Sequence, residues 1–320
     1  MGAGSSEAVK GTAYIFPGQG SQYVGMGKDL WERDARARGI FENADSILGV
    51  PLSRICFEGP EEELRQTKNT QPAIFLHSIV LISLLAERRG VMAAGHSLGE
   101  YSALVYAGAL TFEEGLRLVR LRGELMQQAG TEQPGTMAAI VGLTPEAVGE
   151  ICLRAGTEGI VQPANFNSPG QIVISGSTAG VRTAMELAKK SGAKLVKELV
   201  VSGAFHSPLM QGAGDGLRKA LEEAALRDAA IPVYANVTGG PVQKAREIRT
   251  LLEQQLTSPV RWEESVQNMI RDGATDFLEI GPGKVLQGLV KRIDGSAGSG
   301  GIDRMADIEH MTGTEDSWQH

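Results

Sequence analysis

Gly95-His96-Ser97-Leu98-Gly99 limits the possible fold more than any other stretch of the chain. A short apolar run, Val91 to Ala94, leads into it, and helix-forming Glu100-Tyr101-Ser102-Ala103-Leu104 leads out. A serine bounded by glycines at this spacing fits a sharp turn from strand to helix, because the glycines permit the tight backbone. The helix then aims its positive N-terminal dipole at the serine oxygen. That geometry suits a nucleophile that forms an acyl intermediate and must stabilise an oxyanion. A plain glycine-bounded turn fits the same five residues, so the choice rests on what surrounds them.

The N-terminal part repeats the strand-then-loop pattern. Thr12-Ala13-Tyr14-Ile15-Phe16 is a short apolar run followed at once by Pro17-Gly18-Gln19-Gly20-Ser21-Gln22, a strand running into a glycine-rich loop. Helical stretches follow to about Leu85, and Ala73 to Ala86 reads as a buried helix. This order predicts an α/β core with a parallel sheet, whose ligand site lies at the carboxyl ends of the strands, where Gln19 and Ser97 both fall. The middle has another texture: strand 136–141, helix 144–155, strands 159–165 and 171–175, helix 178–191 and strand 194–201. A β-α-β-β-α-β order is the ferredoxin-like α+β pattern. The expected division is a catalytic core of 12–127 and 203–293, an inserted subdomain of 128–202, a loose extension of 1–11 and a flexible tail of 294–320, rich in Gly and Ser.

Composition removes several function classes. The net charge of −7, with no dense Lys/Arg block, argues against nucleic acid as a partner. No apolar run reaches the length of a membrane span, which argues against a membrane protein. The start of the chain lacks the apolar segment of a secretory signal. Cys56 and Cys152 have neither metal-ligand spacing nor a disulfide framework, so they read as buried small hydrophobes in a reducing cytoplasm.

A serine nucleophile needs a base. Of the five histidines, His310 and His320 fall in the expected tail and His77 in an apolar helical stretch. His96 immediately precedes the serine, so its side chain is expected to point away and serve structure. His206, in Ser202-Gly203-Ala204-Phe205-His206-Ser207-Pro208, follows a strand on a loop, where functional groups concentrate. The usual serine-hydrolase order also requires an acid between serine and histidine, yet no aspartate lies between Ser97 and His206. A backbone carbonyl can orient the histidine instead, by accepting from Nδ1. One arginine is also out of place. At about 100° per residue, Glu113, Arg117, Arg120 and Glu124 share one face of helix 111–128, while Arg122 falls among Leu118, Val119, Leu125 and Met126. A guanidinium there cannot lose its charge. Its counter-ion is either a protein carboxylate or a carboxylate on the substrate.

Several motifs accompany these residues in order: Phe16 to Gln22, Thr70-Gln71-Pro72-Ala73, Gly95 to Glu100, Arg120-Leu121-Arg122-Gly123, Asn165 to Gln171, Gly203 to Ser207, Gln255 to Trp262, and Glu279-Ile280-Gly281-Pro282-Gly283. Together they resemble the malonyl-CoA:acyl carrier protein transacylases of bacterial fatty acid synthesis, over about Thr12 to Ile293. The resemblance implies an α/β-hydrolase-like core, Ser97 as the acylated nucleophile, His206 as its base and the Gln255 carbonyl as the group orienting it. Gln19 and Leu98 would supply the oxyanion hole, and Arg122 would clamp the malonyl carboxylate. Phe205 and Asn167 would line the substrate site, the Phe205 ring crowding an α-methyl branch. The implied reaction is ping-pong, from malonyl-CoA through a malonyl-serine ester to the phosphopantetheine thiol of acyl carrier protein, with no metal or redox cofactor. Docking of an acidic carrier would draw on Lys189, Lys190 and Lys194, or on Lys284, Lys291 and Arg292, all of which fit solvated surface equally well. Glu87-Arg88-Arg89-Gly90-Val91 departs from the family in being shorter. The alternatives are a trans-acting acyltransferase of a polyketide synthase and a serine acyl hydrolase; the missing acid and Arg122 weigh against the latter.

Overall fold

A computed structural model describes residues 11–85 and 90–313. The extension expected at the start therefore lies outside the described residues save for Gly11, as does most of the shortened segment before the serine strand.

Ten strands form two sheets: β1 (Gly11–Phe16), β2 (Gly90–Gly95), β3 (Gly135–Val141), β4 (Val161–Ser168), β5 (Gln171–Ser177), β6 (Leu195–Glu198), β7 (Val233–Tyr234), β8 (Pro241–Val242), β9 (Ala274–Ile280) and β10 (Gly298–Ile302). The larger sheet has the order β10-β9-β1-β2-β7-β8 and is parallel except at its β7–β8 edge. Helices cover both faces, so its strands are buried on both sides. Successive residues of β1 point to opposite faces: Tyr14 and Phe16 enter the major core with Phe75, Leu104 and Val119, while Ala13 and Ile15 pack with Trp262, Met269 and Phe277. Because β1 and β2 are parallel neighbours, their carboxyl ends bring the loop after Phe16 and the turn after Gly95 to one edge.

The smaller sheet is antiparallel, in the order β4-β5-β3-β6. The helices Pro145–Ala155 and Thr178–Lys190 cover one face through a core of Ile140, Ile151, Ile172, Ile174, Val181 and Ala184. The last strand is shorter than the sequence suggests. It ends at Glu198; Leu199 still donates its N–H to the Met137 carbonyl of β3 at 2.8 Å, and the side chains of Leu199 and Val201 line a cleft. Cys56 and Cys152 are both buried and unbridged.

The expected flexible tail is corrected in part. Within 294–313, β10 pairs in parallel with β9 and the helix Met305–Gly313 follows it. Glycines made Gly298-Ser299-Gly300-Gly301 read as linker, yet an edge strand needs only one paired side. There the small residues lie against Asp276 and Gln287, where a side chain would collide. Ile302, Met305 and Ile308 anchor the segment in the core. His310 thus lies on a helix; His320 lies outside the described residues.

Candidate active site

The two glycines of the serine turn are required by contact. A Cβ on Gly95 would sit 1.8 Å from the Gly99 carbonyl carbon, and one on Gly99 would sit 2.2 Å from the Phe16 carbonyl oxygen. The turn is thus pressed against the end of β1 and against its own helix, Gly99–Tyr106. Ser97 is forced to φ 54°, and His206 adopts φ 56°; they are the two non-glycine residues with positive φ among the described residues. Backbone in that region costs energy for a residue with a Cβ and persists only where its surroundings hold it.

These two strained residues meet. Ser97 Oγ lies 2.8 Å from His206 Nε2. The other ring nitrogen, Nδ1, donates to the Gln255 backbone carbonyl at 2.9 Å, which fixes the tautomer with Nε2 as acceptor. No aspartate or glutamate is needed to orient the ring. Burial, and then the nearby Arg122 charge, push the His206 pKa down to about 3, so the imidazole is neutral at physiological pH. A second tie holds the histidine loop: Gln162 of β4 donates to the His206 carbonyl at 2.9 Å and to the Thr257 carbonyl at 3.3 Å.

Arg122 lies on the buried face of the helix Phe112–Glu132 and is fully buried. Its partners are uncharged. Nη1 donates to Gln71 Oε1 at 2.7 Å, and Nη2 donates to Gln255 Oε1 at 2.9 Å and to Ser97 Oγ at 3.0 Å. Among the described residues no carboxylate forms an ion pair with it; the buried Glu100 carboxyl acts on it electrostatically, without a direct hydrogen bond. The guanidinium bonds directly to the hydroxyl oxygen that also faces His206.

Ser97, His206, Gln19, Leu98, Phe205 and Asn167 all border one cleft of about 270 Å³ between the two sheets. The backbone N–H groups of Gln19 and Leu98 have no intramolecular acceptor among the described residues. Apolar side chains, including Met126, Met137, Val173, Leu199 and Val201, form the other wall. His96 turns from the serine and meets Asn167: its Nε2 lies 2.9 Å from Asn167 Oδ1, and its ring packs on Trp262. The side-chain oxygen of Asn167 is thereby occupied. His77 is fully buried in the core, with Nε2 3.4 Å from an Asp303 carboxylate oxygen, but neither ring nitrogen has a well-formed hydrogen bond among the described residues, so it is not the satisfied core histidine expected.

Sequence reasoning gave no role to three polar residues, Asn236 and Glu100 packed behind the turn and Gln71 bordering the cleft beside Arg122. Asn236 Oδ1 accepts the Ser97 N–H at 2.7 Å, and its Nδ2 donates to the Gly95 carbonyl at 2.7 Å. Glu100 Oε2 accepts from the Asn236 N–H at 3.0 Å and from Gln255 Nε2 at 2.8 Å. Burial pushes the Glu100 carboxyl up to about 7. Gln71 completes the shell around Arg122. The position of Asn236 just past β7, at the carboxyl edge of the sheet, was the available signal. Glu100 looked like ordinary first-turn helix chemistry.

A family profile described as an acyl transferase domain matches residues 13–302. The chain belongs to the acyl transferase family. Among relatives of this acyl transferase, a malonyl CoA-acyl carrier protein transacylase of Bacillus subtilis is 48% identical over 286 residues, covering 88% of the chain and 90% of the relative. One from Haemophilus influenzae is 45% identical over 291 residues, covering 90% and 93%. A solved transacylase from Coxiella burnetii superposes with a TM-score of 0.91 at 39% identity, covering 94% of the chain and 96% of that structure. A solved complex of a malonyl-transacylase with its type II polyketide synthase acyl carrier protein superposes equally well, with a TM-score of 0.91 at 41% identity over 94% and 98%.

Proposed function

We propose that the chain transfers a malonyl group from malonyl-CoA to the phosphopantetheine thiol of acyl carrier protein, in the cytoplasm, as a step of fatty acid synthesis. The observation that carries this reading is the buried Arg122, which lacks a carboxylate partner and bonds the serine hydroxyl that an acyl group would occupy. Kinship with malonyl transacylases supports it.

Each residue then has a task. His206 Nε2 takes the Ser97 proton as Oγ attacks the thioester carbonyl. The oxyanion is held by the Gln19 and Leu98 N–H groups, which have no intramolecular acceptor among the described residues. The Ser97 N–H does not contribute, since Asn236 already holds it. His206 returns the proton to the departing thiolate of coenzyme A, and the carrier thiol later repeats the sequence in reverse. Arg122 receives the malonyl carboxylate, and Phe205 bounds the space beside its α-carbon. Asn167, held by His96, borders the thioester path.

The fold is read as an α/β-hydrolase-like core, 12–127 and 203–293, carrying a ferredoxin-like insert, 128–202. The strand order β4-β5-β3-β6 with two helices on one face supports that description of the insert.

Radiolabelled malonyl-CoA tests the function. Label should move to holo carrier protein; label accumulating as free malonate while carrier is present would mean a hydrolase. A second reading, supply of malonyl groups to a polyketide carrier, is favoured by the solved complex with such a carrier. Competition between a fatty acid and a polyketide carrier for the labelled acyl-enzyme separates the two.

A further inference from the structure

The polar cluster behind the turn has no task in the transfer chemistry itself. Glu100 is 2% exposed and sits on the first turn of the helix after Ser97. One of its oxygens, Oε2, accepts both the Asn236 N–H and the Gln255 side-chain nitrogen. That same Gln255 nitrogen also reaches the Ser97 carbonyl at 3.1 Å and Asn236 Oδ1 at 3.4 Å. Three acceptors thus converge on one amide nitrogen, which leaves the amide oxygen pointing the other way, at Arg122 Nη2. The reversed amide would set its NH₂ against a guanidinium that can only donate, and its oxygen against three acceptors.

We propose that Glu100 is a positioning residue for acyl selection: as acceptor for Gln255 Nε2, it locks the Gln255 amide in the orientation that presents an oxygen to Arg122, and so aims the guanidinium at the acyl carboxylate. This rests on the reading of Arg122 as the carboxylate clamp. The proposed role lies in the position of the acceptor, over and above the longer-range electrostatic effect of Glu100 on Arg122. Arg122 is bonded through Gln255 and makes no ion pair with Glu100. Both donors use the same oxygen, so a proton can occupy Oε1 without breaking either bond.

Two near-isosteric variants separate position from charge. Glu100→Gln keeps a carbonyl oxygen for both donors and removes the charge. Glu100→Asp keeps the charge and withdraws the acceptor by one methylene. The quantity to measure is the ratio of kcat/KM for malonyl-CoA to that for acetyl-CoA, on protein with a native-like circular dichroism spectrum. Glu100→Gln should keep the ratio within about threefold, and Glu100→Asp should lower it about tenfold or more, the equivalent of one charge-assisted hydrogen bond. A ratio for Glu100→Asp that lies within about threefold of that for Glu100→Gln overturns the proposal. Should Glu100→Asp not fold, Gln255→Leu replaces it, since it keeps the backbone carbonyl for His206 and removes the amide; the same fall is expected, and an unchanged ratio overturns the proposal. Arg122→Ala in the same assay separates the two levels. If its ratio is unchanged, the clamp reading has failed and takes this inference with it. A ratio that falls with Arg122→Ala and holds with Glu100→Asp defeats the role of Glu100 alone.

Discussion

Arg122 and His206 are both buried, and among the described residues neither hydrogen-bonds to a carboxylate. A guanidinium enclosed by two glutamine oxygens and a hydroxyl retains its full charge for a ligand. On the proposed reading, replacing it with alanine removes charge-assisted bonds to the malonyl carboxylate worth about 3 kcal/mol. Arg122→Ala should therefore lower kcat/KM for malonyl-CoA roughly a hundredfold while acetyl-CoA use falls much less, as competition assays would show. Equal losses would make Arg122 purely structural. His206 carries a pH prediction. Its folded pKa of about 3 lies below the usual 6.5. As pH falls through 6.5, the unfolded chain takes up a proton that the folded site refuses until about 3, so this group's contribution to stability declines across that window. Over the same range the base stays neutral. The rate of acyl-enzyme formation in a rapid-quench experiment should thus show no histidine-type decline between pH 7.5 and 5; a tenfold loss per unit below 6.5 would contradict the shift. Both residues were legible in the sequence, Arg122 from its helical face and His206 by elimination among five histidines. Asn236 was not, because a buried asparagine that braces a turn has no periodicity of its own.

At the scale of elements, the strand-turn-helix around Ser97 was readable because its glycines answer to contacts close in sequence and to one neighbouring strand. The C-terminal segment was not. A glycine-rich edge strand carries no alternating apolar pattern, and its place is set by pairing with β9, by Ile302 at its end and by two side chains beyond it. Ile302, Met305 and Ile308 are each at most 8% exposed. At about 1.5–3 kcal/mol for each buried side chain, they contribute roughly 4.5–9 kcal/mol, which is comparable with the whole stability of a domain. Asp303 adds bonds to Tyr23 at 3.0 Å and to the Gly283 N–H at 3.2 Å. A chain ending at Ile293 should accordingly unfold at far lower urea concentration than the full chain, or fail to fold. An unchanged midpoint would restore the flexible-tail reading.

Across the whole molecule, the site is assembled from distant parts of the chain. The loop after β1 brings Gln19, the turn after β2 brings Ser97, the helix Phe112–Glu132 brings Arg122, and the return from the smaller sheet brings His206. The smaller sheet does more than cover the cleft, since Gln162 on β4 ties the histidine loop to Thr257. That cross-link joins residues 44 and 95 positions apart, and nothing local announces it. Motif order along the chain identified the parts; only the folded arrangement shows that one glutamine, Gln255, serves His206 through its backbone and Arg122 through its side chain. On the proposed reading, Ser97 carries malonyl between two thiols. Intact-protein mass spectrometry after exposure to malonyl-CoA tests it most directly. Wild type should gain the mass of a single malonyl group and lose it when holo acyl carrier protein is added, while Ser97→Ala gains none. The account is contradicted if Ser97→Ala acquires the same increment, or if the wild-type adduct survives the carrier.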